Sequence, residues 1–145
     1  MTKTLEIPYS LVKNVRGEVA LRPMLPLMLG HADQTIQVGG LLDSGADVNV
    51  LPYQLGVELG LSWEAETTRV YLSGNLAQHE ARGAILTAVI EDFPPVRLAF
   101  AWTQAEHVPL ILGQINFFME FDVCFHRTRQ VFTVKAARSD SLRAD

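Results

Sequence analysis

Leu41-Leu42-Asp43-Ser44-Gly45-Ala46-Asp47-Val48-Asn49-Val50-Leu51-Pro52 is the most informative stretch of this 145-residue chain. Two leucines run into a carboxylate. A hydroxyl and two small residues follow it, and an apolar run resumes at Val48. Small side chains at Gly45 and Ala46 let backbone pack closely around an acid. Apolar residues on both sides set that acid at a strand end, beside a buried environment. Two carboxylates meeting in such a place can share one proton, because like charges a few ångströms apart cannot both ionise. Such a pair can activate a water and protonate a leaving group, which is general acid–base catalysis without a covalent intermediate. Alone, Asp-Ser-Gly-Ala also fits an ordinary turn in which the aspartate caps local backbone.

The flanks read as short strands. Glycine and proline punctuate the chain every ten to fifteen residues, with runs rich in Val, Ile, Leu, Phe and Thr between them. Met24–Leu29 and Gln34–Val38 are expected strands, with Gly39-Gly40 bending the chain before Leu41. Val48–Leu51 continues after the turn. Pro52 opens a short helix and Gly60 stops it. Further strands are expected over Thr67–Leu72, Gly83–Ile90 and Val96–Trp102, with a turn at Ser73-Gly74-Asn75. Leu110-Ile111-Leu112, ending in Gly113, suits a fully buried strand. Ile115–Phe121 allows a helical turn or two, and Val123–Phe125 with Val131–Val134 reads as a hairpin. Residues 1–20 are expected to form an N-terminal arm or an extra strand, 21–135 the folded domain, and 136–145 a polar tail.

Order and context make the aspartate motif specific. After Asp43-Ser44-Gly45-Ala46-Asp47 comes the glycine-bearing Tyr71-Leu72-Ser73-Gly74-Asn75-Leu76, and then Val108-Pro109-Leu110-Ile111-Leu112-Gly113. That succession, with Arg22-Pro23-Met24-Leu25 to Gly39-Gly40 upstream, resembles the retroviral-type aspartic proteases, the retropepsins, over about residues 21–134. The resemblance implies an all-β, closed-barrel acid-protease subunit with one or two short helices. It implies Asp43 as the catalytic acid/base, Ser44 bonding across a dimer to its mate's loop, and Ala46 supporting the loop. Gly45, Asp47 and Gly74 would contact substrate, Gly74 near the tip of a covering flap. Arg22 is the candidate interface residue, matching an arginine that meets the partner's equivalent of Asp47. The implied activity is hydrolysis of a polypeptide substrate, with no metal or organic cofactor. The sequence departs from the viral pattern after Gly113, where Gln114-Ile115-Asn116 and then Phe117-Phe118 stand in place of an arginine followed by Asn or Asp. This is similar to bacterial and cellular members. Asp-Ser/Thr-Gly occurs once, so a two-aspartate site requires a second chain, and a symmetric homodimer supplies it. The alternative reading is a module that keeps the fold for protein binding or assembly.

Other chemistries find little support. A net charge of −4 without clustered Lys and Arg leaves no electrostatic footprint for nucleic acid. Apolar runs are too short to span a bilayer, and no apolar leader is evident. With one cysteine, Cys124, there is no intrachain disulfide. Cytoplasmic residence is therefore expected. Cys124 lies in an alternating run and reads as a core thiol. His31, His79, His107 and His126 lack metal-ligand spacing, and no Gly-x-Ser-x-Gly elbow or phosphate-cradling loop occurs. Trp63 and Trp102 read as core or edge aromatics.

Overall fold

The computed structural model describes residues 3–105 and 107–137; the expected tail lies outside them from residue 138 onward. Among the described residues twelve strands and two short α-helices follow in order. They are β1 (Leu5–Pro8), β2 (Ser10–Lys13), β3 (Val19–Arg22), β4 (Met24–His31), β5 (Gln34–Leu42), β6 (Asn49–Pro52), α1 (Tyr53–Glu58), β7 (Arg69–Val70), β8 (Ala81–Val89), β9 (Val96–Thr103), β10 (Ile111–Leu112), α2 (Phe117–Glu120), β11 (Phe121–His126) and β12 (Val131–Ala136). The expected all-β fold with short helices is what forms.

The main sheet runs β4-β5-β10-β6-β9-β8-β7, and β4 also pairs with β8. Met28 lies opposite Val89 and Gly30 opposite Thr87, so six strands close into a barrel and β7 hangs from β8 as a flank. Closure pairs β4 with β8, which would otherwise face outward as sheet edges there. The period-two pattern explains why these runs form this sheet. Leu25, Leu27 and Leu29 of β4 turn inward with Leu86 of β8 and Leu98 of β9, all at most 1% exposed, while Met28 and Ile85 stand on the outer face. Pro26 lies where β4 pairs with β5 alone, so its missing N–H interrupts no second ladder.

Two sequence expectations need correction. Gly39-Gly40 does not bend the chain, because β5 runs unbroken through both. The glycine serves close approach instead: a Cβ on Gly40 would stand 2.7 Å from Leu112 Cδ1. Cys124 is exposed, not a core thiol. It lies opposite Thr133 on β11, in a three-stranded sheet ordered β1-β12-β11 whose buried side carries Phe132 and Val134.

That small sheet joins the barrel through aromatics. Phe121 stacks on Phe117 of α2 at 5.1 Å and meets Phe93 edge-on at 5.6 Å. Helix α1 begins after Pro52 and ends before Gly60, whose φ of +82° suits glycine. It packs on Trp102, which is fully buried, stacks on Tyr53 at 5.5 Å, and donates its indole N–H to the Tyr53 carbonyl at 3.0 Å. Gly56 faces that indole so closely that any Cβ would overlap it. Thr67–Leu72 contributes only the two-residue β7, and Ser73-Gly74-Asn75 opens into a 3-10 turn over Gly74–Leu76.

Candidate active site

Asp43 sits where β5 ends. Its position is fixed by β10, which inserts between β5 and β6, parallel to the first and antiparallel to the second. Leu41 N–H donates to Leu110 C=O at 2.8 Å, and Asp43 N–H to Leu112 C=O at 3.0 Å. On the other side, Leu42 N–H donates to Pro23 C=O at 3.1 Å. The aspartate backbone is thus anchored from both sides before the chain turns.

The turn is closed locally. Ala46 N–H donates to Asp43 C=O at 3.0 Å, and Gly45 N–H to the Asp43 carboxylate Oδ1 at 3.0 Å. This is the aspartate turn chemistry of a short polar side chain bonding two residues on. It fixes one carboxylate oxygen and leaves the other free for a ligand or water. Asp43 is half-buried, while Ser44, Gly45 and Asp47 are exposed. Among the described residues, neither Asp43 nor Asp47 is in an ion pair.

Behind the turn, the segment after β10 stitches it down. Gln114 N–H donates to Ala46 C=O and Ile115 N–H to Asp47 C=O, both at 2.9 Å. The Gln114 side-chain amide reaches Ser44 C=O at 2.8 Å. Glutamine thus holds the loop through a neutral hydrogen bond. Gly113 is required by proximity: a Cβ there would lie 2.5 Å from Val48 O and 2.8 Å from Ala46 O.

The sequence reading missed the residue that organises this layer. Asn49 is fully buried. Its Oδ1 accepts Gly113 N–H at 2.8 Å, and its Nδ2 donates to Ala99 C=O at 2.9 Å and to Asn116 Oδ1 at 3.2 Å. Asn116 Oδ1 also accepts Ala99 N–H at 3.0 Å, and its amide donates to Arg97 C=O at 3.0 Å. Among the described residues no buried side-chain N or O lacks a partner, as the cost of stranding one demands. The available signal was an asparagine inside the apolar run Val48–Leu51.

A cavity of about 240 Å³ opens between the loop and the connection from β7 to β8. Gly45, Asp47 and Val50 line one side, Tyr71, Leu72 and Ser73 the other. Gly74, with φ of +65°, forms the turn just beyond Ser73 and has nothing within 4 Å of its Cβ direction. A second cavity of about 360 Å³ shares Val48 with the first and is walled mainly by apolar groups, including Val70, Ile85 and Ile115. The structure therefore gathers Asp43, Ser44, Gly45, Ala46 and Asp47 into one loop, with the Gly74 segment opposite. Arg22 ends β3 directly before Pro23, is exposed, and among the described residues forms no ion pair. One chain presents one aspartate of the motif. A lone carboxylate can orient a water, but it cannot at once accept a proton on one side of a bond and donate one on the other.

No protein-family model matches the chain, and no curated protein matches it in sequence. Solved structures do. The crystal structure of a retropepsin-like aspartic protease from Rickettsia conorii superposes with a TM-score of 0.65 at 16% identity, covering 94% of each chain. EIAV protease complexed with the inhibitor HBY-793 aligns at a TM-score of 0.47 and 18% identity, over 64% of this chain and 82% of that one. At 16% identity the first likeness concerns architecture, and with the closed six-strand barrel described above it establishes that the chain has the fold of the retropepsin-like aspartic proteases.

Proposed function

We propose that the chain is one half of an aspartic endopeptidase, completed by a second copy whose Asp43 stands opposite its own. The observation that carries this reading is the Asp43 turn, anchored to Leu112 and capped by Gly45 N–H, whose next residues, Gly45, Ala46 and Asp47, line a cavity under the β7–β8 connection. The distant architectural likeness supports it, but likeness of fold alone does not establish an activity.

In the proposed reaction one Asp43 carboxylate takes a proton from a water held between the pair. The resulting hydroxide adds to the peptide carbonyl carbon. The protonated partner carboxyl then donates to the amide nitrogen, the C–N bond breaks, and the proton inventory of the pair is restored. An extended peptide lies in the groove and bonds through its main chain, with Gly45 and Asp47 on one side and the Gly74 segment covering the other. Ser44 bonds to the partner's loop, Ala46 keeps the loop compact, and Arg22 meets the exposed Asp47 of the second copy. The apolar walls at Val48, Val70 and Ile115 favour hydrophobic side chains beside the cut.

The test is cleavage of a diverse peptide mixture by purified protein across acidic to neutral pH, with Asp43→Asn in parallel. Asn retains an Oδ1 for Gly45 N–H, so the fold should persist. Loss of general acid–base chemistry should lower the rate by at least about 100- to 10,000-fold. Equal cleavage by both proteins would exclude Asp43 from the chemistry. Silence from both would favour a protein-binding module on the same fold.

A further inference from the structure

Strands β2 and β3 form a two-stranded sheet that pairs with neither of the other two sheets, and none of their residues belongs to the hydrophobic core or packs against it. Cross-strand register sets Leu11 opposite Leu21 and Lys13 opposite Val19 on one face. Leu11 is 71% exposed, Val19 57% and Val15, in the connecting turn, 74%. A hairpin of this size is marginal in water by itself and needs a third element to cover it. Among the described residues no strand pairs with it as a third.

The place of the hairpin shows what does. β3 ends at Arg22, and the next residue, Pro23, accepts the hydrogen bond from Leu42 beside Asp43. The hairpin is therefore rooted at the end of the barrel where the aspartate turns. The turn itself offers small side chains, Ser44, Gly45 and Ala46, whereas a specific dimer buries about 800 Å² from each partner. Charge points the same way. Lys13, Arg16 and Arg22 outweigh Glu18 on the hairpin, while the whole chain carries −4, so a positive arm meets a negative body.

We propose that the β2–β3 hairpin is the arm with which each chain grips a second copy beside Asp43, its Leu11 and Val19 face buried in the dimer. The proposal rests on the paired-aspartate reading for the placement of the second copy. Two variants test it in the full chain: Leu11→Glu with Val19→Glu, and Val15→Asp alone. Sedimentation equilibrium across a wide concentration range gives the dimer dissociation constant, and urea unfolding checks the fold. The expected result is a dimeric wild type and a dissociation constant raised at least about 100-fold in the double variant, since each buried apolar side chain counts twice across a twofold axis. Val15→Asp should weaken it in the same direction by less. Cleavage per dimer at saturating protein should stay unchanged. An unaltered constant in both variants, or a wild type that is monomeric throughout, overturns the arm. Variants that fall apart from a wild-type dimer that cleaves nothing would leave the arm standing and remove the protease reading instead.

Discussion

Asn49→Ala strips three hydrogen bonds from the layer behind the aspartate turn. Gly113 N–H loses its acceptor and Ala99 C=O loses a donor, whereas Asn116 Oδ1 keeps Ala99 N–H. Each buried polar group left without a partner costs about 1–3 kcal/mol. Ala99 is only half-buried, so water relieves part of its loss, and the sum comes to about 2–4 kcal/mol with the small cavity included. A typical domain of this kind has roughly 5–15 kcal/mol in all, so the variant should still fold. Urea unfolding followed by tryptophan emission should show the midpoint falling by about 1–3 M at unchanged slope. Asn49→Asp sharpens the test. Aspartate keeps an acceptor for Gly113 but sets a second oxygen against Ala99 C=O and Asn116 Oδ1. Burial and those oxygens raise the folded-state pKa of the new carboxyl above its unfolded value. Its protonated form can donate as the amide did. The variant should therefore approach wild type at acidic pH and lose stability as pH rises from the unfolded toward the folded pKa. An unfolding free energy for Asn49→Ala within about 0.5 kcal/mol of wild type, or an Asn49→Asp deficit flat with pH, would refute the view that this amide network holds the turn.

Two other substitutions probe neighbouring contacts. Gly113→Ala drives a methyl into the carbonyls of Val48 and Ala46 and should destabilise by about 2–3 kcal/mol or more; thermal unfolding of Gly113→Ala against Asn49→Ala reads it, and a normal midpoint would show the backbone there to be soft. Arg82 pairs with Glu80 at 2.9 Å, bonds to the Trp63 and Glu66 carbonyls and lies 4.4 Å from the Trp63 ring centroid, tying the base of the β7–β8 connection to the 63–66 turn. Arg82→Lys keeps the charge but loses the fork and the stacked plane, so it should cost about 1–2 kcal/mol in urea unfolding and shift Trp63 emission to the red; unchanged emission would mean that the charge alone suffices.

What could be read in the sequence was local. Pro52 and Gly60 bracket a helix because each acts through its own backbone. The β11–β12 hairpin and the short strand β10 follow from runs and turns within a few residues, although Ile111 is half-buried where a fully buried strand was expected, because it lines the cavity beside the loop. The glycines of β5 were legible as special but not as to kind, since a strand glycine marks either a bend or a close approach. Only Leu112, some seventy positions on, decides for the latter. The same distance hides Asn49: an asparagine in an apolar run is a contradiction until Gly113 arrives 64 positions later to need its oxygen. Cys124 failed for a related reason, because alternation tells which residues share a face and not which face another layer will cover. The hairpin of residues 10–22 is the extreme case. Its apolar residues carry no helical or strand period that the rest of the chain can satisfy, and folding leaves Leu11, Val15 and Val19 exposed. The barrel's apolar residues, by contrast, meet one another across its interior. The hairpin's exposed cluster is rooted next to Asp43, and on the proposed paired-aspartate reading the second copy that supplies the other carboxylate is also the body that would cover it.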